Sequence, residues 1–209
     1  MTLSDLKQTL LAYLPEMDTP PKRSAVLLPL AEENGEIYLL YTKRAEGIRQ
    51  SGDVCFPGGR SEQGETPFRT AVREAKEELA IPPEEITFLT YLPLQRTLEK
   101  EEITPVVGLL SAKALQGLTP SPAEVAEVFR VPLSVLLEME PERYTLYWHV
   151  TESDTFPYEK IRNGKQYPFR VPQVEELFYE VDGHIIWGVT ARFTASLVSA
   201  LKTSQIHLN

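Results

Sequence analysis

Three carboxylates and one arginine lie within residues 73–78, and this density of charge limits how the segment can fold. The segment belongs to a predicted helix over residues 66–79. Thr66 and Pro67 are typical first residues of a helix, and the two prolines after residue 81 cannot continue it. Apolar residues recur along one stripe of this helix, so one of its faces is predicted to lie in a core.

The acidic residues of the helix divide into two positions around its axis. Glu74 and Glu78 are one turn apart beside the apolar stripe, whereas Glu77 lies opposite the core. Two carboxylates at this spacing can bind one hard cation, and without a cation they repel each other by about 0.2–0.5 kcal/mol. Taken alone, the hexapeptide also fits a solvated face with ion pairs such as Arg73–Glu77. The residues before the helix favour the first interpretation.

Composition restricts the classes of partner. The 209 residues, 42% of them hydrophobic, suffice for one domain with a sizeable core. A net charge of −9 argues against nucleic-acid binding, and no apolar run is long enough to span a membrane. No secretory signal is visible and the chain has one cysteine, so a cytoplasmic location is predicted. An acidic protein that binds an anionic substrate needs local positive charge from cations.

The order of elements predicts an α+β fold with a mixed sheet covered on both faces. A short amphipathic helix over 4–14 and a proline-rich linker occupy residues 1–22, and the main domain is predicted over 23–209. A hairpin is expected around Asn34 and Gly35. Further strands are predicted at 54–56, 86–92, 103–110, 125–131, 143–150 and 178–181, and further helices at 134–138 and 190–201.

The spacing around the charged helix resembles a known family signature. Glu65 follows Gly59 by six residues, and Arg73 with Glu74 follows Glu65 after seven intervening residues. Together with Glu77 and Glu78 this closely resembles the signature of Nudix hydrolases. The chain departs from it at Ala80, where the family has glycine. We expect Ala80 to adopt a left-handed conformation, at a cost of about 1 kcal/mol relative to glycine.

The resemblance implies an α/β/α sandwich whose signature forms a loop-helix-loop. It also implies Mg²⁺ or Mn²⁺ as cofactor and hydrolysis of a diphosphate linked to another group. By position, Glu74 and Glu78 are implied as the main metal ligands and Glu77 as a third ligand or a base. Glu65 and Arg73 are implied to orient the loop and the carboxylates.

Hydrolysis of a diphosphate needs an activated water, and a carboxylate is the expected base. In this superfamily the base lies inside the signature or on a later loop. The sequence leaves several downstream candidates open: Glu99, Glu101, Glu102, Glu124 and Glu127.

A second set of residues, over 39–59, resembles the motif that accompanies the signature in the coenzyme A pyrophosphatase branch. It includes Lys43-Arg44-Ala45, Arg49, Gly52 and Phe56-Pro57-Gly58-Gly59. The segments 104–108 and 186–191 are also similar to that branch. The resemblance implies a small nucleotide substrate, coenzyme A or a derivative, and allows a homodimer.

The implied substrate contacts are three cations and two glycines. Lys43, Arg44 and Arg49 would hold phosphates beside Gly58 and Gly59, because guanidinium groups bind phosphate through two hydrogen bonds. The alternative for each cation is a solvated side chain at a strand end or in a loop.

Two other functions remain open. One is a Nudix pyrophosphatase for ADP-ribose or another nucleoside diphosphate derivative, and the other is a non-catalytic domain that senses a nucleotide. The full set of acidic residues favours an enzyme over a sensor. Trp148 and Trp187 are expected in the core rather than as platforms for a base.

Overall fold

The computed structural model describes residues 2–12, 21–97, 100–149, 151 and 155–208, with side chains described up to residue 203. The helices are α1 (Leu3–Ala12), α2 (Pro67–Leu79), α3 (Ala112–Gln116), α4 (Leu133–Glu138) and α5 (Gly188–Leu208). The strands are β1 (Lys22–Glu33), β2 (Glu36–Arg44), β3 (Val54–Cys55), β4 (Gly58–Arg60), β5 (Ile86–Tyr91), β6 (Gln95–Arg96), β7 (Glu101–Leu110), β8 (Val125–Pro132), β9 (Glu142–Tyr147), β10 (Gln173–Val181) and β11 (His184–Trp187).

Strands β1 and β2 form the predicted hairpin and then separate. They pair antiparallel from Leu30 with Leu39 to the turn, where Asn34 and Gly35 both have positive φ. Beyond that point the short segment 54–60 lies between them, with β3 paired to β2 and β4 paired to β1. The amide of Leu27 also donates to the carbonyl of Pro57 over 2.8 Å. The segment therefore satisfies backbone groups that the separation of β1 and β2 leaves without a partner.

The large sheet is mixed, as predicted. Strand β7 runs parallel to β1, and β5 and β6 pair antiparallel with β7. Strand β8 pairs antiparallel with the outer side of β2. Strand β1 contains a run of fully buried aliphatic residues, because both faces of this strand are covered.

Helix α2 covers one face of the large sheet. Its apolar stripe, which includes Val72, Ala75 and Leu79, packs on Leu27 and Val106 of the sheet. The predicted core face of this helix is therefore confirmed. Because that face is fixed against the sheet, the carboxylates along its edge are fixed relative to β1 and β4.

The opposite face is covered by α5 and a second sheet of three strands in the order β11-β10-β9. Phe193 and Leu197 of α5 pack with Tyr179 and Ile186 of the small sheet against Tyr41 of β2. The molecule is thus an α/β/α sandwich with an added small sheet, and the predicted α+β class is confirmed.

The N-terminal helix is present as α1, and it has no buried residue. The linker after residue 12 lies outside the described residues until residue 21. Strand β1 begins at Lys22, and the division of the chain at residue 22 stays a prediction. Strand β9 ends at Tyr147, earlier than expected, and Val150 lies outside the described residues.

The two tryptophans are not in the core, so that prediction was wrong. Trp148 is 48% exposed and Trp187 is 39% exposed. Trp148 follows an edge strand whose residues are all exposed, and Trp187 lies on the outer face of the small sheet.

Candidate active site

Helix α2 begins and ends as the sequence predicts. The Thr66 hydroxyl accepts a hydrogen bond from the Arg69 amide, and Pro67 is the first helical residue. Ala80 has φ 57° and ψ 28°, the left-handed conformation expected of it, and its amide donates to the Lys76 carbonyl. The helix therefore has fixed ends, which fixes the positions of its charged residues.

Arg73 connects the helix to the loop before it. Its Nε and Nη2 atoms donate to the two oxygens of Glu65 at 3.0 and 3.2 Å. Nη2 also donates to the Arg60 carbonyl at 2.9 Å, and Nη1 donates to Glu74 at 2.8 Å. A planar guanidinium can hold this many acceptors at once, whereas an ammonium cannot.

Glu65 is the partner that holds the loop closed. Besides Arg73 it accepts hydrogen bonds from the Glu62 amide and the Thr70 hydroxyl, both at 2.9 Å. The hydrogen bond from Arg73 lowers the pKa of Glu65 to about 2, with a smaller contribution from the Glu62 amide. The carboxylate is therefore charged at neutral pH and is engaged in structure.

Glu74 lies against the backbone of β4. A Cβ atom added to Gly59 would come within 2.5 Å of a carboxylate oxygen of Glu74. Only glycine allows this approach, which brings the carboxylate against the backbone of β4. Burial is the main cause that raises the pKa of Glu74, and the nearby Arg73 opposes it.

Glu78 lies one turn further along the same edge of α2. Its Oε1 atom accepts a hydrogen bond from the Gly58 amide at 3.3 Å. Burial raises the pKa of Glu78 to about 7, and the neighbouring carboxylates of Glu74 and Glu124 add to the rise. A carboxylate held in this environment is stabilised by a cation.

Glu77 differs from the other two. Its side chain is 55% exposed and accepts a hydrogen bond from Arg73 at 3.4 Å. The Arg73–Glu77 ion pair expected in the solvated-face interpretation is therefore present, and Glu77 is the one of the three helix carboxylates that is exposed.

The predicted substrate cations lie at the end of β2 and in the loop after it. Arg44 donates from Nε to the Arg49 carbonyl at 2.9 Å, which folds the loop back on the strand. The charge of Arg44 lowers the pKa of Glu78 slightly, so its guanidinium lies within electrostatic range of that carboxylate. Lys43 pairs with Val54 of β3 and is half-buried. Arg49 lies in the loop, where its carbonyl is the acceptor for Arg44.

Of the downstream acidic residues, Glu124 is the one that approaches the site. Its charge raises the pKa of both Glu74 and Glu78. Its carbonyl accepts from the Ala45 amide at 3.0 Å, so the loop before β8 is fastened to the end of β2. No local pattern distinguishes Glu124 from the other candidates, because tertiary contacts bring its loop to α2.

The remaining candidates have other partners. Glu101 accepts a hydrogen bond from the Ser24 hydroxyl, and Glu102 accepts one from Arg96. Glu127 Oε1 forms a hydrogen bond with Nε2 of His184 at 3.0 Å. Glu99 lies outside the described residues.

The donor set fits a hard divalent cation. Glu74 and Glu78 offer carboxylate oxygens, which Mg²⁺ and Mn²⁺ prefer. The raised pKa values of both groups mean that a cation would relieve the electrostatic cost of their burial. Within the described part of the chain, no three acidic, histidine or cysteine side chains already form a complete metal cluster. The coordination of a cation there would be completed by further ligands, such as water and substrate oxygens.

Comparison with known proteins agrees with this geometry. The family model of the NUDIX domain matches residues 21–150. An uncharacterised Nudix hydrolase, NudL, from Photorhabdus laumondii is 33% identical over 97% of this chain and 99% of its own length.

Three further proteins are similar to this chain. The human mitochondrial coenzyme A diphosphatase NUDT8 is 32% identical over 83% of this chain and 67% of its own length. The crystal structure of the Mycobacterium smegmatis Nudix hydrolase RenU is 26% identical, with a TM-score of 0.47 over 54% of this chain and 71% of that protein. With Arabidopsis thaliana Nudix hydrolase 15 the chain shares 31% identity, but it spans only 55% of that relative's length.

Proposed function

Because the chain belongs to the Nudix hydrolase family, we propose that it hydrolyses the diphosphate bond of coenzyme A or of its derivatives. The products would be 4′-phosphopantetheine and adenosine 3′,5′-bisphosphate. Nudix hydrolases act on small nucleotide derivatives and generally use divalent ions such as Mg²⁺ or Mn²⁺. The similarity to coenzyme A diphosphatases, one of them human NUDT8, supports the choice of substrate.

The observation that carries the proposal is the position of Arg44. Its charge acts on Glu78, and its guanidinium also binds the Arg49 carbonyl. A cation that could bind phosphate therefore lies within electrostatic range of the half-buried Glu78, in an otherwise acidic protein. This juxtaposition supports a site for a diphosphate with further phosphate next to it. We assign Lys43, Arg44 and Arg49 to that binding, with Gly58 and Gly59 as the backbone against which the diphosphate lies.

The carboxylates would hold the metal. Glu74 and Glu78 are the proposed ligands, with Glu77 as the more exposed third acidic group. When bound, Mg²⁺ or Mn²⁺ supplies a water of lowered pKa and neutralises charge on the phosphate oxygens. Glu65 and Arg73 keep the loop in place and orient Glu74 through the 2.8 Å hydrogen bond.

Glu124 is the proposed acceptor of the proton. It lies in a different loop, within electrostatic range of Glu74 and Glu78, and it is exposed, so a water can reach it. The oxygen of that water would form a bond to one phosphorus, and the bridging bond between the phosphates would break. The leaving phosphate takes the electron pair, and Glu124 takes the proton of the water.

Incubation with coenzyme A and Mg²⁺ in ¹⁸O-labelled water tests the proposal. We expect label in one of the two phosphate products, and loss of at least about a hundredfold in kcat for Glu78→Gln. Glu124→Gln should lower kcat by about 10²–10⁴-fold with little change in KM. Glu62→Gln is the control, because Glu62 is exposed and its carboxylate lies outside the proposed site.

A second measurement separates the substrates. A kcat/KM for ADP-ribose that exceeds the value for coenzyme A tenfold would contradict the proposal in favour of a sister enzyme. Ligand binding without turnover, unaffected by Glu78→Gln, would favour a sensor. Among the described residues no helix is long and apolar enough to cross a membrane. The cytoplasmic location and the homodimer stay predictions, and human NUDT8 is named as mitochondrial.

A further inference from the structure

The short strand β3 leads into the glycine backbone that contacts the carboxylates of α2, yet its own pairing is slight. It consists of Val54 and Cys55, which pair with Lys43 and Thr42 of β2. Gly58 follows after two further residues. Two paired residues supply few backbone hydrogen bonds, so additional contacts are needed to fix the position of this segment.

The end of β11 and the start of α5 supply such contacts. The Thr190 hydroxyl donates to the Val54 carbonyl at 3.0 Å. The indole Nε1 of Trp187 donates to the Asp53 carboxylate at 3.4 Å. Both donors belong to residues 186–191, for which neither the signature nor the proposed substrate contacts give a role. These residues therefore fasten β3 to the small sheet and to α5.

Thr190 is buried, so its hydroxyl has a defined partner and little contact with water. It is 5% exposed and lies on a helix whose Phe193 and Leu197 pack in the core. A hydroxyl buried in such a place is costly unless it is hydrogen-bonded, and valine has nearly the same shape without that cost. The hydroxyl therefore adds a fixed direction toward the Val54 carbonyl rather than packing.

The position of the segment after β3 determines the surroundings of two carboxylates. The Gly58 amide donates to Glu78 at 3.3 Å. The backbone of Gly59 lies so close to the Glu74 carboxylate that a Cβ atom has no room there. Both contacts involve backbone atoms, so a displacement of the segment alters them together. A displacement of about 1 Å at a catalytic group can lower turnover about a hundredfold.

We infer that Thr190 is a positioning residue of the proposed diphosphatase. Its hydroxyl holds the Val54 carbonyl, and through β3 it keeps the backbone of Gly58 and Gly59 in place against the two carboxylates proposed as metal ligands. The effect of Thr190 on turnover rests on the proposed function. Its effect on the backbone of Gly58 does not, because that effect follows from the hydrogen bonds of the protein alone.

A second buried threonine on the same helix provides a matched control. Thr194 lies one turn after Thr190 and is fully buried. Its hydroxyl donates to the Thr190 carbonyl at 3.0 Å and forms a hydrogen bond with the Tyr41 hydroxyl at 3.0 Å. These partners lie on α5 and β2. Thr194→Val therefore removes buried hydroxyl hydrogen bonds and keeps the bond from Thr190 to β3, whereas Thr190→Val removes that bond.

Kinetics with coenzyme A and Mg²⁺ compares the two substitutions. We expect Thr190→Val to lower kcat at least about tenfold while KM stays within about twofold, because the carboxylates lose their alignment and the cations of β2 do not. Thr194→Val should lower the urea midpoint as much but change kcat less than about twofold. Thr190→Ser keeps the hydroxyl and should restore kcat to within about threefold of the wild type. If Thr190→Val does not fold, Thr190→Ala against Thr190→Ser gives the same comparison, because both lack the methyl group and differ in the hydroxyl.

Hydrogen exchange of the Gly58 amide, measured by NMR with EDTA present, separates this inference from the proposed function. We expect exchange at least about fivefold faster in Thr190→Val than in Thr194→Val, because the loss of the bond to β3 promotes local opening of the segment. Faster exchange in a protein that does not hydrolyse coenzyme A refutes the proposed function and supports the role of Thr190. Turnover of coenzyme A with equal exchange in the two variants does the reverse. Equal losses of kcat in the two variants, or no rescue by Thr190→Ser, also overturns the inference.

Discussion

Glu78 allows a test in which stability and activity change in opposite directions. Burial raises its pKa from the ordinary value of 4.5 to about 7. When a group has a higher pKa in the folded than in the unfolded protein, the protein loses stability as pH rises from the unfolded-state pKa to the folded-state pKa. In metal-free protein the charged form of Glu78 therefore opposes folding above about pH 7, and the protonated form does not oppose it below about pH 4.5.

The magnitude follows from the shift. At about 1.36 kcal/mol per pH unit, the difference between 4.5 and about 7 corresponds to about 3.4 kcal/mol. Glu78 is only half-buried, so solvent screens part of the cost, and we expect about 1.5–2 kcal/mol. Glu78→Gln removes the charge and keeps an acceptor for the Gly58 amide. With EDTA at pH 8 the variant should be more stable than the wild type by this amount, although it should be nearly inactive.

Urea unfolding in EDTA at pH 8 and pH 5 measures the effect. The difference between variant and wild type should shrink by about three quarters at pH 5. Glu77→Gln is the matched control, because Glu77 is exposed and its ion pair with Arg73 contributes at most about 1 kcal/mol. The reasoning is refuted if Glu78→Gln is no more stable than the wild type at pH 8, or if its advantage does not depend on pH.

Three other substitutions have defined outcomes. Ala80→Gly should raise the free energy of unfolding by about 1 kcal/mol, measured with urea, because the left-handed backbone there favours glycine. Gly59→Ala should lower kcat at least about tenfold, since its Cβ would displace the carboxylate of Glu74, while the urea midpoint changes less than expected for a core defect. Arg73→Lys should cost about 1–2 kcal/mol at pH 7 and reduce the stability lost on acidification between about pH 4.5 and 2, where Glu65 titrates. Unchanged acid unfolding in this variant would contradict the role given to Arg73.

Local rules account for most of the secondary structure. Thr66, Pro67 and the apolar stripe determine α2, and Asn34 with Gly35 determines the first hairpin. The left-handed conformation of Ala80 was expected because the family signature has glycine at this position, and it is confirmed. These features depend on neighbours in sequence, so a sequence reveals them.

Tertiary contacts were harder to predict from the sequence than secondary structure. The sequence did not separate Glu124 from four other acidic residues, because a loop fastened to Ala45 brings it to α2. Trp187 was expected in the core, yet the alternation of β11 places it on the outer face beside Phe178. Such placements depend on how the two sheets meet, and no local pattern encodes that.

The separation of β1 from β2 has a consequence for folding kinetics. The segment 54–60 gains its backbone partners only after both strands are in place, and Glu74 and Glu78 meet that segment only after α2 has docked. Contacts between distant parts of the chain form late, because closing the loops costs entropy first. Pulsed hydrogen exchange during refolding should therefore protect the amides of α2 before those of Gly58 and Gly59. An enzyme assembled in this order would acquire its catalytic power last.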